Sequence, residues 1–416
     1  MKSIIIIGDG MSDEPIESLG GKTPLMVAKK PAIDEIARKG QLGQLRTIGE
    51  TGPADSAVAN LAVLGYDPVA TSQGRAVLEA ASMGVDIKDG DVALRCNLAC
   101  FDGNPGDYRI RNHSAGHIST EEGTALIRTL NRELGGGAGD LPVRFHPGIS
   151  YRHLLVLPGG WANPEVECTP PHDFVGGKVA DLLPQPMSGA TDPVGAKLTA
   201  DRLRELHELS LPILRDHPVN VARRQGGQDE ATSIWTWSPG RRPQMKTLEE
   251  LYGVRSAVIS AVDLIMGLGV CAGMDVIKVS GATGLHDTNY EGKATACLDA
   301  LADHDLVYLH VEASDEASHS CDLPLKIKCI EYLDNRLVQL ITDGLTERGI
   351  EATIAVLPDH PTPVSTGQHG RSPVPVAIYY PGIEPDECTC YDEKQAALGS
   401  LGLMVGDEFI RRVVGR

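Results

Sequence analysis

Ser3-Ile4-Ile5-Ile6-Ile7-Gly8-Asp9-Gly10, near the start of the chain, is the stretch that decides the fold. Four consecutive isoleucines are typical of a strand buried on both faces, and the Gly-Asp-Gly turn ends it. Similar apolar runs recur after residue 246, at Ala257–Ile259, Asp275–Val279, Leu306–Val311 and Thr353–Leu357. Helical patterns precede and separate these runs, at Thr23–Lys39, at about 290–302 and at about 323–348. Strands that alternate with helices predict an α/β fold, with a mainly parallel sheet covered by helices on both faces.

The middle of the chain differs from the two ends in composition and pattern, and this difference predicts a second domain. A chain of 416 residues exceeds what one hydrophobic core usually serves. Its middle part is rich in His, Arg and Pro, contains all three tryptophans, and predicts a helix at Thr120–Leu134 and a strand at Tyr151–Leu157. We therefore expect residues 1–90 and 244–416 to form one α/β domain, with residues 91–243 inserted as a smaller α+β domain.

Composition and charge exclude several classes of partner. The formal net charge of −18 argues against nucleic acid or an anionic membrane as the main partner. An anionic small molecule would need metal ions or clustered Arg and Lys beside it. Ile4–Ile7 is too short for a membrane span or a signal-peptide core. Nine scattered cysteines without a paired zinc-site spacing fit reduced thiols in a cytoplasmic protein, and the sequence leaves the oligomeric state open.

Carboxylate and imidazole side chains gather at predicted strand ends, where ligands bind in open α/β sheets. Asp359 and His360 directly follow a buried strand, between prolines, which packing alone does not explain. Asp315 and His319 are spaced i, i+4, so one helical turn would place both on the same face. A turn aspartate at position 9 and a capping aspartate at position 315 are the structural alternatives.

Taken together, these segments predict two adjacent divalent metal sites, the arrangement that holds both reacting oxygens in phosphoryl transfer. The set of three carboxylates and three imidazoles is Asp9, Asp315, His319, Asp359, His360 and His369. Mixed nitrogen and oxygen ligands suit Mn or Zn, and Mg suits a site richer in oxygen.

Ser56 is the candidate nucleophile. Residues 53–65 predict a loop that turns into a helix, and Ser56 lies at the start of that helix. An ordinary helix-capping serine is the structural alternative. A helix N-terminus favours a phosphate group, and a nearby metal lowers the pKa of a hydroxyl, so the predicted metal ligands make Ser56 the better candidate.

Five segments resemble the archaeal-type, cofactor-independent (2,3-bisphosphoglycerate-independent) phosphoglycerate mutases, which belong to the alkaline phosphatase superfamily. They are GDGMSDEPIESLGGKTPL from Gly8, DSAVANLAVLGYDP from Asp55, GATGLHDTNYEGKA from Gly281, EASDEASH from Glu312 and LPDHPTP from Leu357. The likeness extends over nearly the whole chain. It implies a metal-binding, phosphatase-like catalytic domain at 1–90 and 244–416, and a substrate-binding domain at 91–243.

The resemblance also implies roles for individual residues. Ser56 matches the serine that is transiently phosphorylated while 3-phosphoglycerate and 2-phosphoglycerate interconvert, with two divalent metal ions and without bisphosphoglycerate. The residues implied to hold the metal beside this serine are Asp9, Asp359, His360 and Ser56 itself. Those implied to hold the second metal are Asp315, His319 and His369.

The inserted domain departs from the mutase pattern. Where an Arg-Ala-Gly-Arg stretch is expected, this chain has Ser114-Ala115-Gly116-His117. Paired arginines suit a doubly anionic phosphoglycerate through bidentate contacts. The surrounding segment, RNHSAGHIS, instead resembles a bacterial branch of the family proposed to be homoserine kinases. The candidate substrate contacts are His113, His117, Arg152, Arg241 and Lys293.

Phosphoglycerate mutase is the leading function, and three alternatives stay open from the sequence. A homoserine kinase-like phosphotransferase would use the same metals and Ser56, although the chain has no Walker-type phosphate loop. A catalytically silent metal-binding protein of the same fold would tolerate loss of Ser56. Plain phosphatase action would require only that water reach the phosphoserine.

Overall fold

The structure is a computed structural model that describes residues 2–71, 74–136 and 141–415. It divides into two compact units, one formed by residues 1–72 and 244–416 and the other by residues 73–243. The sequence predicts the first domain boundary at residue 90, whereas the structure divides between residues 72 and 73. The helix Arg75–Ser82 belongs to the second unit because it packs against the long strand Val92–Asp102 of that unit. The assignment of catalysis to one domain and substrate binding to the other stays a prediction.

Unit 1, residues 1–72 and 244–416, is built on an eight-stranded sheet. Its strands are β1 (Lys2–Gly8), β2 (Gln41–Leu45), β10 (Ser256–Ile259), β11 (Asp275–Val276), β12 (Leu306–Val311), β13 (Ala352–Leu357), β14 (Val374–Tyr379) and β15 (Gly402–Met404). The spatial order is β11-β10-β12-β1-β13-β14-β2-β15. Only β14 runs against its neighbours in this sheet, so the predicted mainly parallel α/β fold is confirmed.

Helices cover both faces of this sheet. They are α1 (Pro24–Val27), α2 (Pro31–Lys39), α3 (Ser56–Val63), α4 (Pro68–Thr71), α10 (Leu248–Tyr252), α11 (Asp263–Cys271), α12 (Tyr290–Ala300), α13 (Ala313–His319), α14 (Leu323–Leu333), α15 (Gln339–Arg348), α16 (Glu393–Ala396) and α17 (Glu408–Val414). Side chains of α2, α12, α14 and α15 pack with Ile4 and Ile6 of β1, while α17 packs on β1 and β13. All four isoleucines of β1 are fully buried, as expected for a strand covered on both faces.

The single helix predicted at Thr23–Lys39 is wrong. The structure has two helices there, α1 and α2, separated by residues 28–30. Pro31 causes the break, because a proline cannot donate its backbone nitrogen and disfavours helical dihedrals in the residue before it. Pro31 is instead the first residue of α2, a position that proline favours.

Unit 2, residues 73–243, is built on an antiparallel sheet packed against helices. The strands of this sheet are β3 (Val92–Asp102), β4 (Arg109–Asn112), β5 (Arg144–His146), β6 (Arg152–Leu157) and β9 (Ser233–Gly240). Two short strands, β7 (Val166–Glu167) and β8 (Gln185–Pro186), pair with each other in a separate sheet. Its helices are α5 (Arg75–Ser82), α6 (Thr120–Leu134), α7 (Val179–Leu182), α8 (Pro193–Arg215) and α9 (Pro218–Gln225). Among the described helices of the whole chain, none combines the length and apolar content that crossing a membrane requires.

Candidate metal centre and active site

The predicted metal ligands of unit 1 come together at one edge of its sheet. β12, β1 and β13 are adjacent and parallel, so their carboxyl ends lie side by side. Asp9 follows β1, Asp359 and His360 follow β13, and helix α13, which carries Asp315 and His319, follows β12. The loop before β14 brings in His369. The sheet order therefore collects residues that are up to 360 positions apart in sequence.

The first cluster contains Asp9, Asp359, His360 and Ser56. His360 Nε2 lies 3.5 Å from Asp9 Oδ1, 3.5 Å from Asp359 Oδ2 and 3.1 Å from Ser56 Oγ. Asp9, Asp359 and His360 are fully buried, whereas Ser56 is half-buried. Asn60, one turn along α3, donates to Asp359 Oδ2 at 2.8 Å and to the Ser56 carbonyl at 2.8 Å. The same helix thus places the serine and orients one carboxylate.

Ser56 is not the N-cap of α3. The capping residue is Asp55, whose side chain accepts a hydrogen bond from Val58 N at 2.9 Å. The structural alternative for Ser56, a helix-capping serine, is therefore wrong. Ser56 is the first helical residue, and its hydroxyl points to His360 rather than to the backbone of its own helix.

The second cluster contains Asp315, His319 and His369. Asp315 Oδ2 lies 2.9 Å from His319 Nε2 and 3.7 Å from His369 Nε2, and the two Nε2 atoms are 3.1 Å apart. His319 Nδ1 donates to Gly367 O and His369 Nδ1 donates to Ala54 O, because a carbonyl can only accept. In neutral rings both Nε2 atoms therefore present lone pairs towards each other and towards the carboxylate. Such an arrangement requires a cation or shared protons between them.

The electrostatics of the site also fit divalent cations. Asp9 Oδ1 is buried without a hydrogen-bond partner, and burial, reinforced by the charge of Asp359, raises the pKa of Asp9 well above its usual range. The hydrogen bond that His319 Nε2–H donates to the Asp315 carboxylate raises the pKa of His319 to about 9. Without metal, protons must offset this buried negative charge, and a metal ion would do so with the same donor atoms. Groupings of three ligand atoms within 4.8 Å include Asp9-Asp359-His360 and Asp315-His360-His369.

The sequence interpretation missed two further residues of this site, His310 and Glu312. His310 Nε2 lies 2.9 Å from Asp9 Oδ2 and 3.5 Å from Glu312 Oε2, and its Nδ1 lies 3.2 Å from Ser260 Oγ. Burial lowers the pKa of His310 to about 3, so the ring is neutral and its Nε2–H orients Asp9. The sequence did contain one indication of His310, namely a histidine inside the otherwise apolar and fully buried strand Leu306–Val311.

Lys293 lies in unit 1, on α12, and is buried. Its ammonium donates to the His310 carbonyl at 3.0 Å. Burial lowers the pKa of Lys293 to about 8, against the opposing effect of the Glu312 charge. The residue therefore brings positive charge to the strand end that carries the first cluster.

The other candidate substrate contacts lie in unit 2. His113 and His117 both pack against Tyr151, with ring centroids 5.4 Å and 6.2 Å apart, and His172 packs against His113 at 5.9 Å. Arg152 donates to Tyr151 Oη at 3.2 Å and lies over its ring. His113, His117 and Arg152 thus surround Tyr151, and His172 joins this group through its contact with His113.

Arg241 makes a different contact. It donates from Nη2 to Ala162 O at 2.8 Å, and its Nε is buried without a hydrogen-bond partner.

The loop that presents His117 has an unusual backbone. Ala115, Gly116 and His117 have positive φ values of 45°, 64° and 53°. Non-glycine residues rarely adopt this region, which costs on the order of 1–2 kcal/mol each. Asn112 Oδ1 accepts from Gly116 N, and Arg223 Nη2 donates to Ala115 O. These two side chains hold the loop in its strained form.

Comparison with known proteins assigns the chain to a family. Residues 37–220 match the family model described as 2,3-bisphosphoglycerate-independent phosphoglycerate mutase. The chain is 47% identical over 415 residues to the protein of that name from Methanosarcina acetivorans, and 44% identical over 415 residues to that from Methanothrix thermoacetophila, with 100% of each chain covered in both comparisons. The cofactor-independent phosphoglycerate mutase from Thermoplasma acidophilum superposes with a TM-score of 0.71 at 27% identity, covering 100% of this chain and 99% of that one. The chain therefore belongs to the family of 2,3-bisphosphoglycerate-independent phosphoglycerate mutases, as its five motif segments predicted.

Proposed function

We propose that this protein interconverts 3-phosphoglycerate and 2-phosphoglycerate through a phosphoserine at Ser56, without bisphosphoglycerate. The observation that carries this proposal is the position of the Ser56 hydroxyl, 3.1 Å from His360 Nε2 at the edge of a buried Asp-Asp-His cluster. Family membership supports the same reaction, since relatives at 44–47% identity bear the mutase name.

Two divalent metal ions are part of the proposal. Asp9, Asp359, His360 and Ser56 would hold one, and the mixed donors suit Mn, Zn or Mg. The other would be held by Asp315, His319 and His369. Bound there, the ions would supply positive charge for the transferring phosphoryl group and its reacting oxygens.

The chain's own residues would prepare Ser56 for attack. The half-buried hydroxyl donates to His360 Nε2, since His360 Nδ1 is engaged elsewhere. The amino end of α3 favours a phosphate on this serine through the helix dipole and unpaired amides. Asn60 fixes the serine carbonyl and the Asp359 carboxylate together, so that nucleophile and ligand keep one geometry.

Substrate binding is proposed for His113, His117 and Arg152 of unit 2, with Arg241 and Lys293 as further contacts. Imidazoles would here provide hydrogen bonds where the mutase pattern has arginine forks. The strained, doubly clamped loop that carries His117 supports this assignment, because stored backbone strain concentrates at functional sites.

The remaining expectations follow from this reaction. The partner would be a small phosphorylated metabolite, and the net charge of −18 disfavours nucleic acid and anionic membranes. A cytoplasmic location is proposed because all nine cysteines, each within the described residues, are thiols. The names of the relatives do not favour the homoserine kinase alternative.

The purified protein with Mn²⁺ or Mg²⁺ tests the proposal. We expect conversion of 3-phosphoglycerate to 2-phosphoglycerate, lost in Ser56→Ala with the fold intact and kept in Ser400→Ala, a surface serine of the same unit. No mutase turnover with several metals, together with ATP-dependent phosphorylation of homoserine, would decide for the kinase. Release of inorganic phosphate faster than isomerisation would decide for a phosphatase.

A further inference from the structure

Thr362 connects the two clusters through a single hydroxyl group. Its Oγ1 lies 2.6 Å from Asp315 Oδ1, in the second cluster, and 3.1 Å from His360 Nδ1, in the first. Thr362 is fully buried. The hydroxyl therefore contacts one predicted ligand of each metal without access to solvent.

The chemistry of the three groups fixes the direction of both hydrogen bonds. An ionised carboxylate can only accept, so the Thr362 hydroxyl donates to Asp315. Its oxygen is then free to accept from His360 Nδ1–H. A neutral His360 that is protonated at Nδ1 has its lone pair at Nε2, the atom that faces Ser56, Asp9 and Asp359. One hydroxyl thereby selects the tautomer of one ligand and the orientation of another.

The surroundings hold this threonine in place. Its carbonyl accepts from Lys326 Nζ at 2.8 Å, and its amide donates to Ser12 O at 3.3 Å. A Cβ added at Gly10 would lie 2.7 Å from Thr362 Oγ1 and 2.3 Å from Asp315 Oδ1. A side chain at position 10 would therefore clash with both the Thr362 hydroxyl and the Asp315 carboxylate.

We propose that Thr362 is a positioning residue that couples the two metal sites. The inference rests on the proposed function, in which His360 and Asp315 each hold a metal ion. Loss of the hydroxyl leaves His360 free to adopt the other tautomer and Asp315 free to rotate, so both sites weaken together. Outer-shell partners of this kind change metal affinity by about 10- to 100-fold.

Calorimetric titration of the metal-free protein with Mn²⁺ tests the coupling. Thr362→Val, which keeps the shape but removes the hydroxyl, is expected to weaken both Mn²⁺ sites by about 10- to 100-fold. Thr362→Ser, which keeps the hydroxyl, is expected to bind close to wild type. Thr389→Val, at an exposed threonine of the same unit, serves as the matched control. Unchanged binding in Thr362→Val, weakening of only one site, or equal weakening in the valine and serine variants would each overturn the proposal.

His360→Ala separates this proposal from the function beneath it. If His360→Ala leaves two tight Mn²⁺ sites, the proposed metal centre fails, and the coupling fails with it. If His360→Ala loses a site while Thr362→Val does not, only the role of Thr362 fails. Nitrogen chemical shifts of His360 in the metal-free wild type give a readout that needs no stable variant. We expect the Nδ1–H tautomer, and a predominant Nε2–H form would overturn the proposal.

Discussion

Lys326→Met should strongly destabilise unit 1, because it breaks a buried ion pair. The Lys326 ammonium donates to Asp13 Oδ2 at 2.9 Å, Ser12 O at 3.1 Å and Thr362 O at 2.8 Å. The side chains of Lys326 and Asp13 are 0% and 1% exposed, so solvent cannot replace the lost contacts. Methionine has a similar length but no donor, so the carboxylate of Asp13 would stay buried without its cation.

The expected cost follows from that uncompensated charge. Removing one partner of a buried pair costs about 3–5 kcal/mol. The double variant Lys326→Met, Asp13→Asn removes the charge as well, and should recover roughly 1–3 kcal/mol of this loss as coupling energy. Recovery stays partial because Asp13 also accepts from Glu14 N and Val364 N, and an amide cannot accept at both of its ends.

The assay must report on unit 1 alone. All three tryptophans lie in unit 2, so their fluorescence serves as an internal reference. Amide hydrogen exchange of β1 and β13 measures the opening of unit 1. A loss of 3–5 kcal/mol should accelerate that exchange roughly 100- to 4,000-fold. Acceleration below about 5-fold, or an equal effect in the single and double variants, would refute the reasoning.

Two further predictions concern a buried histidine and a buried glycine. Burial lowers the pKa of His153 to about 3 from an unfolded value of 6.5, so only the unfolded state takes up this proton as the pH falls from 6.5 towards 3. The free energy of unfolding of unit 2 should therefore fall by about 1.4 kcal/mol per pH unit in this window, or by about 2 kcal/mol in total at pH 5. Urea unfolding followed by tryptophan fluorescence measures this slope, and His153→Gln should remove the part that His153 contributes. An unchanged slope in His153→Gln would contradict the lowered pKa of His153. Gly10→Ala would place a Cβ 2.3 Å from Asp315 Oδ1, at a backbone φ of 60° that favours glycine. The Mn²⁺ affinity measured by calorimetry should therefore fall at least about 10-fold. Full affinity in this variant would show that Asp315 is not a ligand.

The sequence predicted that these polar residues gather at one edge of the sheet, and there is a physical reason why it could. A buried parallel strand leaves a plain apolar run, and the residues just past its end are free to be polar. Asp9 and Asp359 could therefore be found from their neighbours alone, as could the i, i+4 pair of Asp315 and His319. The adjacency of β12, β1 and β13 was not predicted, since strand order is not local information.

What the sequence could not reveal depends on contacts between distant segments. In the sequence, Thr362 is a single polar residue between two prolines. Its contacts with Asp315 and His360 are visible only in the folded structure. His310 lies inside a strand pattern that predicts packing, and its contact with Asp9 is made across two strands. Neither the periodicity nor the composition of a sequence indicates which distant residues are in contact.

The structure also changes how the departure from the mutase pattern is understood. Arginines are expected at positions 114 and 117, but these two positions are not equivalent here. Ser114 is 3% exposed, and its hydroxyl accepts from His117 N at 3.3 Å, so it builds the loop. His117 is exposed and carries a strained backbone that Asn112 and Arg223 help to hold. An arginine at 114 would need to bury its charge and would lose the turn contact, which only a differently shaped loop could accommodate. The geometry of this loop, and not only the side chains at positions 114 and 117, therefore separates this chain from the mutase pattern.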